Sequence, residues 1–146
     1  MSCELEGFMN GQQFKKLSEK KCEALMSKCN LRKIEIDILF FLSSYNRYNT
    51  AKDIVSLKCL SKAHVSKAIE NLCHQELIET TMANDDRRCV YLTVTGKAKP
   101  ILDEINLIQD EIYAIVYAGV SEDEKNLLLK LTKKITDNIN AALSNK

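Results

Sequence analysis

Tryptophan is absent from the 146 residues, proline occurs once and glycine four times. All-β folds need turn residues at every reversal, so this scarcity excludes them and predicts a mainly helical chain. An excess of charge of either sign is lacking too, with 21 Lys and Arg against 20 Asp and Glu and a formal net charge of +1. That balance excludes a protein that holds nucleic acid by bulk charge, and any such contact has to be local. The longest apolar runs, Ile38 to Leu42 and Ile112 to Val120, fall short of the ~20 residues of a membrane span. The opening MSCELEGF has neither a basic nor an apolar region, and a soluble cytoplasmic protein is expected. Six cysteines without a C-x2-C pair, together with only two histidines, make structural zinc a poor expectation and reduced thiols the better one. Catalytic motifs are missing as well: there is no G-x-S-x-G, no glycine-rich phosphate loop and no H-E-x-x-H. Cys-His nucleophilic chemistry stays open as an alternative, a poor one because Cys73 and His74 are neighbours that point about 100° apart on a helix. Neither an enzyme nor a cofactor is expected.

What is present is helical periodicity, carried by a chain that is 45% apolar and able to build a core. Residues 4 to about 29 place Leu5, Phe8, Met9, Phe14, Leu17, Cys22, Leu25, Met26 and Cys29 on an irregular stripe, which predicts one long helix. From Ile34 to Tyr45 a cleaner stripe of Ile34, Ile38, Phe41, Leu42 and Tyr45 predicts a core-facing helix, ended by the loop SSYNRYN. Thr50 and Asp53 have capping-box spacing ahead of a short helix. Ser61 caps the next, which runs from about Lys62 to His74 with Val65, Ile69 and Leu72 on one side. The two helices and the turn between them have helix-turn-helix spacing. Leu77 to Met82 and Cys89 to Leu92 are β-prone and flank ANDDRR, a hairpin with a basic tip. A helix of about seven turns is then expected from Thr93 to Gly119, bent by Pro100 near its start, followed by a last helix capped by Ser121 and Glu124. The long terminal helices carry more apolar surface than a small core covers, and a symmetric homodimer would cover it.

Residues 50 to 69 hold Lys52, Lys58, Lys62 and Lys67 against Asp53 alone, a local +3 in a nearly neutral chain. Alone, such lysines describe a solvated helix face; beside a basic hairpin they describe a footprint on DNA. Val65, Ala68, Ile69 and Leu72 cluster on one side of their helix, so Ala63, His64, Ser66, Lys67, Glu70 and Asn71 project elsewhere. Lysine donates to guanine O6 or N7 in a major groove, and His64 and Ser66 bond bases or phosphate. Arg87 or Arg88 fits a narrow minor groove, where the negative potential is strong, and Asp86 can hold one arginine by a charge-assisted bond.

The run Leu31 with Glu35-Ile36-Asp37-Ile38-Leu39, then Thr50-Ala51-Lys52-Asp53-Ile54, then Leu60 through Leu72, then Leu77-Ile78, Asp86-Arg87-Arg88 and Leu92-Thr93 with Gly96, resembles the MarR family of bacterial transcription regulators. The resemblance covers most of the chain and implies one MarR-like domain over 1–146. Within it a winged helix-turn-helix lobe at 31–93 is flanked by helical dimerisation regions at 1–30 and 94–146. It implies a mainly α fold with a small β-hairpin wing, and a repressor that binds double-stranded DNA at a pseudo-palindromic operator as a homodimer. It also implies release by a small lipophilic or phenolic effector. The DNA-binding set is then Thr50, Lys52, Ser61, Lys62, Ala63, His64, Ser66, Lys67, Asn71, Arg87 and Arg88, with Asp86 supporting the wing arginine. Several positions depart from the family pattern: Arg32 stands where a Thr cap is usual, Glu76 where Gly is usual, and Ala63 and His64 where small hydroxylated residues are common, so the DNA sequence read should differ from that of relatives. A branch of the family senses peroxide through an N-terminal cysteine, which would fall to Cys22 or Cys29 here; the bland alternative is a pair of small buried hydrophobes. Metal sensing, also known in the family, finds little to build on in two histidines. A winged helix that binds only protein is a third alternative, disfavoured by the lysines and arginines that are present.

Overall fold

The computed structural model describes residues 11–45, 49–58, 60–82 and 89–145. Two compact units divide the chain, Met1–Ile112 and Tyr113–Lys146. In the first, α1 (Gln12–Cys29), α2 (Lys33–Ser44), α3 (Ala51–Lys58) and α4 (Lys62–His74) precede an antiparallel hairpin of β1 (Ile78–Met82) and β2 (Val90–Val94). A 3-10 turn, Gly96–Ala98, then leads into α5 (Lys99–Val116). The second unit contains α6 (Glu122–Ser144).

The core sits under α2, which is apolar around most of its circumference. The expected single stripe is corrected here: Ile36 and Leu39 are buried along with Ile38, Phe41 and Leu42, while Tyr45 is exposed, its ring tilted against Phe41 with 5.1 Å between centroids. A central helix meets neighbours on several sides, so a one-face reading underestimates its burial. Into this core point Leu25 and Cys22 from α1, Ile54 from α3, Val65, Ala68 and Leu72 from α4, Leu92 from the hairpin and Ile105 from α5.

Two helices end in the same way. The C-terminus of α1 closes with Asn30 at φ 52° and a bond from Leu31 N–H to Met26 O of 3.0 Å. That of α4 closes with Glu76 at φ 61° and a bond from Leu77 N–H to Leu72 O of 3.0 Å. Both are left-handed terminators followed by a buried leucine, which recovers the carbonyls a helix end leaves open. Arg32 caps α2 only in part, because a guanidinium accepts nothing. Instead the buried Glu35 carboxylate takes the Arg32 backbone N–H at 3.5 Å and Nε at 3.0 Å.

The expected start of the fifth helix at Thr93 is also corrected. Thr93 and Val94 pair with Glu79 and Ile78 and extend β2, as their β-branched side chains favour. The helix begins at Lys99 and has 18 residues, about five turns rather than seven. Pro100 falls in its first turn, where the missing N–H costs no hydrogen bond, so no bend is needed. At the other end of the chain, the first helix begins at Gln12 behind Gly11 at φ 67°, and the part expected over residues 4–10 lies outside the described residues.

Two ion pairs join α1 to α5, Lys21 with Glu111 at 2.7 Å and Lys28 with Glu104 at 2.5 Å. In the second unit Lys125 lies over the rings of Tyr113 and Tyr117, 5.0 and 5.1 Å from their centroids, and bonds Glu122 at 3.1 Å. None of the residues of α6 is buried, although Leu131, Ile135 and Ile139 follow at helical spacing and are each about half exposed, at 46%, 46% and 49%. Among the described residues no helix is long and apolar enough to cross a membrane.

Candidate nucleic-acid interface

α4 shows how the reading face arises. Val65, Ala68 and Leu72 are each 0% exposed, and this one line of side chains fixes which side of the helix meets the core. Lys62, Ala63, His64, Ser66 and Lys67 consequently lie exposed over the first two turns. Ser61 accepts the His64 N–H at 3.2 Å and holds the N-terminus in place, with its own O–H free to donate to a phosphate. The first-turn N–H groups and the helix dipole add a local attraction for anions at that end. Lys67 has only a loose companion, Glu70 at 3.8 Å, with both side chains largely in solvent. Little is lost when it turns to a base edge.

The helix before it is placed by its own cap. Thr50 Oγ1 donates to Asp53 Oδ2 at 2.8 Å and accepts the Asp53 N–H at 3.1 Å, while Thr50 N–H donates to the same carboxylate at 3.2 Å. The Thr50 hydroxyl is therefore fully engaged within the cap, while Lys52 and Lys58 of α3 are exposed. Asn49 ties this start to the hairpin, its carbonyl accepting Leu92 N–H at 2.7 Å. Asn71, expected in the DNA-binding set, is half-buried and donates through Nδ2 to Glu35 Oε1 at 3.4 Å. Asp86, Arg87 and Arg88 lie outside the described residues.

The cysteines point away from sensing. Burial pushes the Cys22 thiol up, with Lys33 opposing and Asp37 adding to the effect, and Cys22 is 1% exposed. Burial, reinforced by Glu104 and opposed by Lys28, likewise raises Cys29. An oxidant-reactive cysteine needs the opposite, a lowered pKa and access. Among the described residues no three His, Cys, Asp or Glu side chains converge as a metal site would require.

Polar residues that the sequence reading passed over gather at the far end of α4. Gln75 Nε2 donates to Asn30 O at 3.2 Å, Lys97 Nζ to Gln75 O at 3.0 Å, and Thr95 Oγ1 to Glu76 O at 2.7 Å. Their partners are 19 to 45 positions away in the chain, so no local spacing betrays them.

The profile of the winged helix DNA-binding domain family matches residues 31–98, the segment that carries this face. The HTH-type transcriptional regulator YwaE of Bacillus subtilis is 27% identical over 115 residues, which span 79% of this chain and 67% of that one. The transcriptional regulator AdcR of Streptococcus pyogenes is 33% identical over 98 residues, spanning 64% of this chain and 65% of that one. In three dimensions the chain resembles a MarR family regulator from Listeria monocytogenes solved with a 26mer DNA, with a TM-score of 0.81, 22% identity, and coverage of 95% of this chain and 90% of that one. The MepR–DNA complex of S. aureus gives a TM-score of 0.71 at 18% identity, covering 94% of this chain and 98% of that one. An exposed, locally basic helix on a lobe that the winged helix DNA-binding domain family matches, in a chain similar in sequence to transcriptional regulators, makes this chain a DNA-binding transcriptional regulator with the winged-helix fold of the MarR structures.

Proposed function

We propose that the chain is a homodimeric repressor, its lobe at 31–93 reading DNA and its flanks at 1–30 and 94–146 forming the dimer, and that it acts in the cytoplasm. The observation that carries the reading is the exposed start of α4, where Lys62, His64, Ser66 and Lys67 stand clear of a buried line of Val65, Ala68 and Leu72. Two such helices related by a two-fold axis reach successive major grooves about 10 base pairs apart, which calls for a pseudo-palindromic operator. Lys67, His64 and Ser66 face base edges, Lys52, Ser61 and Lys62 face phosphates, and Ala63 leaves room for close approach. Arg88, supported by Asp86 and accompanied by Arg87, occupies the flanking minor groove. The uncovered stripe Leu131, Ile135 and Ile139 supports the dimer, since lone helices of this kind bury their apolar side against a partner. Repression follows from occupying promoter DNA. A small lipophilic or phenolic effector releases it by preferring a spacing of the two lobes that no longer fits both half-sites.

Fluorescence anisotropy of purified protein, at two salt concentrations, against the DNA upstream of its own gene and against a shuffled duplex tests this reading. Saturable binding that prefers the native fragment by about a thousand-fold supports a specific regulator. Equal and weak binding to that fragment and to every duplex drawn from a random pool would remove sequence-specific reading and leave a winged helix turned to protein partners.

A further inference from the structure

Apolar packing fixes which side of α4 faces inward, but it is non-directional and resists sliding or tilting weakly. Directional bonds at the C-terminal end supply that resistance. The side chain of Gln75 reaches the end of α1 through Asn30 O, and its carbonyl receives Lys97 from the turn that opens α5. The next residue, Glu76, is held by Thr95 at its carbonyl and by Lys97 at its carboxylate, 3.5 Å away. Glu76 keeps φ 61° without being glycine, a conformation that persists where the surroundings over-determine it. Three elements thus meet on two consecutive residues, at the end of the helix opposite to the reading face.

Resting on the DNA-reading assignment, we propose that Gln75 and Lys97 are positioning residues that set the axial position and tilt of α4 against DNA without touching it. The 13 residues of α4 form a lever of about 20 Å, so a tilt of about 5° about its C-terminal end moves the first turn by roughly 2 Å. Hydrogen bonds to bases do not survive such a shift, whereas contacts between mobile lysines and phosphates do.

The test uses full-length protein and the duplex that wild-type protein selects from a random pool, with an unrelated duplex as control. Lys97→Met and Gln75→Leu each lower affinity for the selected duplex about ten-fold or more, the loss of one good base contact. Affinity for the control stays within about two-fold, the salt slope is unchanged, and Lys97→Arg restores selectivity. Thermal melts of both variants confirm that the comparison is between folded proteins, and the second variant serves if the first does not fold. Parallel loss on both duplexes with a salt slope reduced by about one makes Lys97 a phosphate contact and overturns the proposal. Unchanged affinity in both variants overturns it equally. Wild-type protein that selects no duplex sinks the DNA-reading assignment itself, and is recognised before any variant is made.

Discussion

Lys67 and His64 stand on an exposed helix turn, Lys67 with only its loose pair to Glu70 to give up, and their substitution separates reading from holding. Lys67→Ala or His64→Ala should change preference at particular operator positions by roughly 1 to 3 kcal/mol per contact, seen by binding to single-base operator variants. Uniform weakening across all variants would reassign both to phosphate. Glu76 offers a stability counterpart: a residue with a Cβ at φ 61° bears about 1 to 2 kcal/mol of strain. Its exposed pair with Lys97 is worth less than that. Glu76→Gly should therefore raise the melting temperature by a few degrees, and a lower one would mean that the pair outweighs the strain. For Cys22, burial with a raised thiol predicts that hydroperoxide releases DNA no differently from wild type and from Cys22→Ala, measured by anisotropy. At this scale the sequence told which residues of α4 face outward, because helical spacing decides that locally. The cap formed by Thr50 and Asp53 was legible too, but not that Asn71 is engaged internally, since its partner lies 36 positions away.

Among the elements, α4 matches its expected limits because a serine cap and a polar terminator bound a clean stripe. The wing strand and α5 do not, for Thr93 and Val94 suit either strand or helix until a partner strand claims them. α6 is the element whose stability is most local. Ser121 N–H donates to Glu124 Oε1 at 2.9 Å, and the Glu124 N–H returns to Ser121 Oγ at 3.1 Å. The Ser121 backbone bond first, and its hydroxyl second, hold the Glu124 pKa below the ordinary carboxylate value. Because the folded value lies below the unfolded one, this contribution is full above the unfolded pKa and is lost as pH falls through the folded one. Acidification should fray α6 from its N-terminus, visible as lost helicity by circular dichroism, and Glu124→Gln should flatten that pH dependence. Ser121→Ala should cost about 1 kcal/mol at neutral pH.

For the whole molecule, the proposed dimer predicts that charge on the uncovered stripe is destructive. Leu131→Glu together with Ile135→Glu should yield a monomer by sedimentation and lower operator affinity by about a hundred-fold or more, as expected when two linked half-sites become one. A dimer that persisted would place the subunit contact elsewhere. The division of the chain at Ile112 carries a genetic consequence. The start of α4 belongs to one compact unit and the stripe on α6 to the other, so a substitution at an exposed α4 residue should leave the proposed pairing surface unchanged. On the proposed dimer, a chain altered at Lys67 would still pair with an unaltered one, and each such hybrid would have a single competent half. Defects in α4 should accordingly behave as dominant-negative alleles, whereas defects in the stripe, which withdraw the damaged chain from pairing altogether, should be recessive.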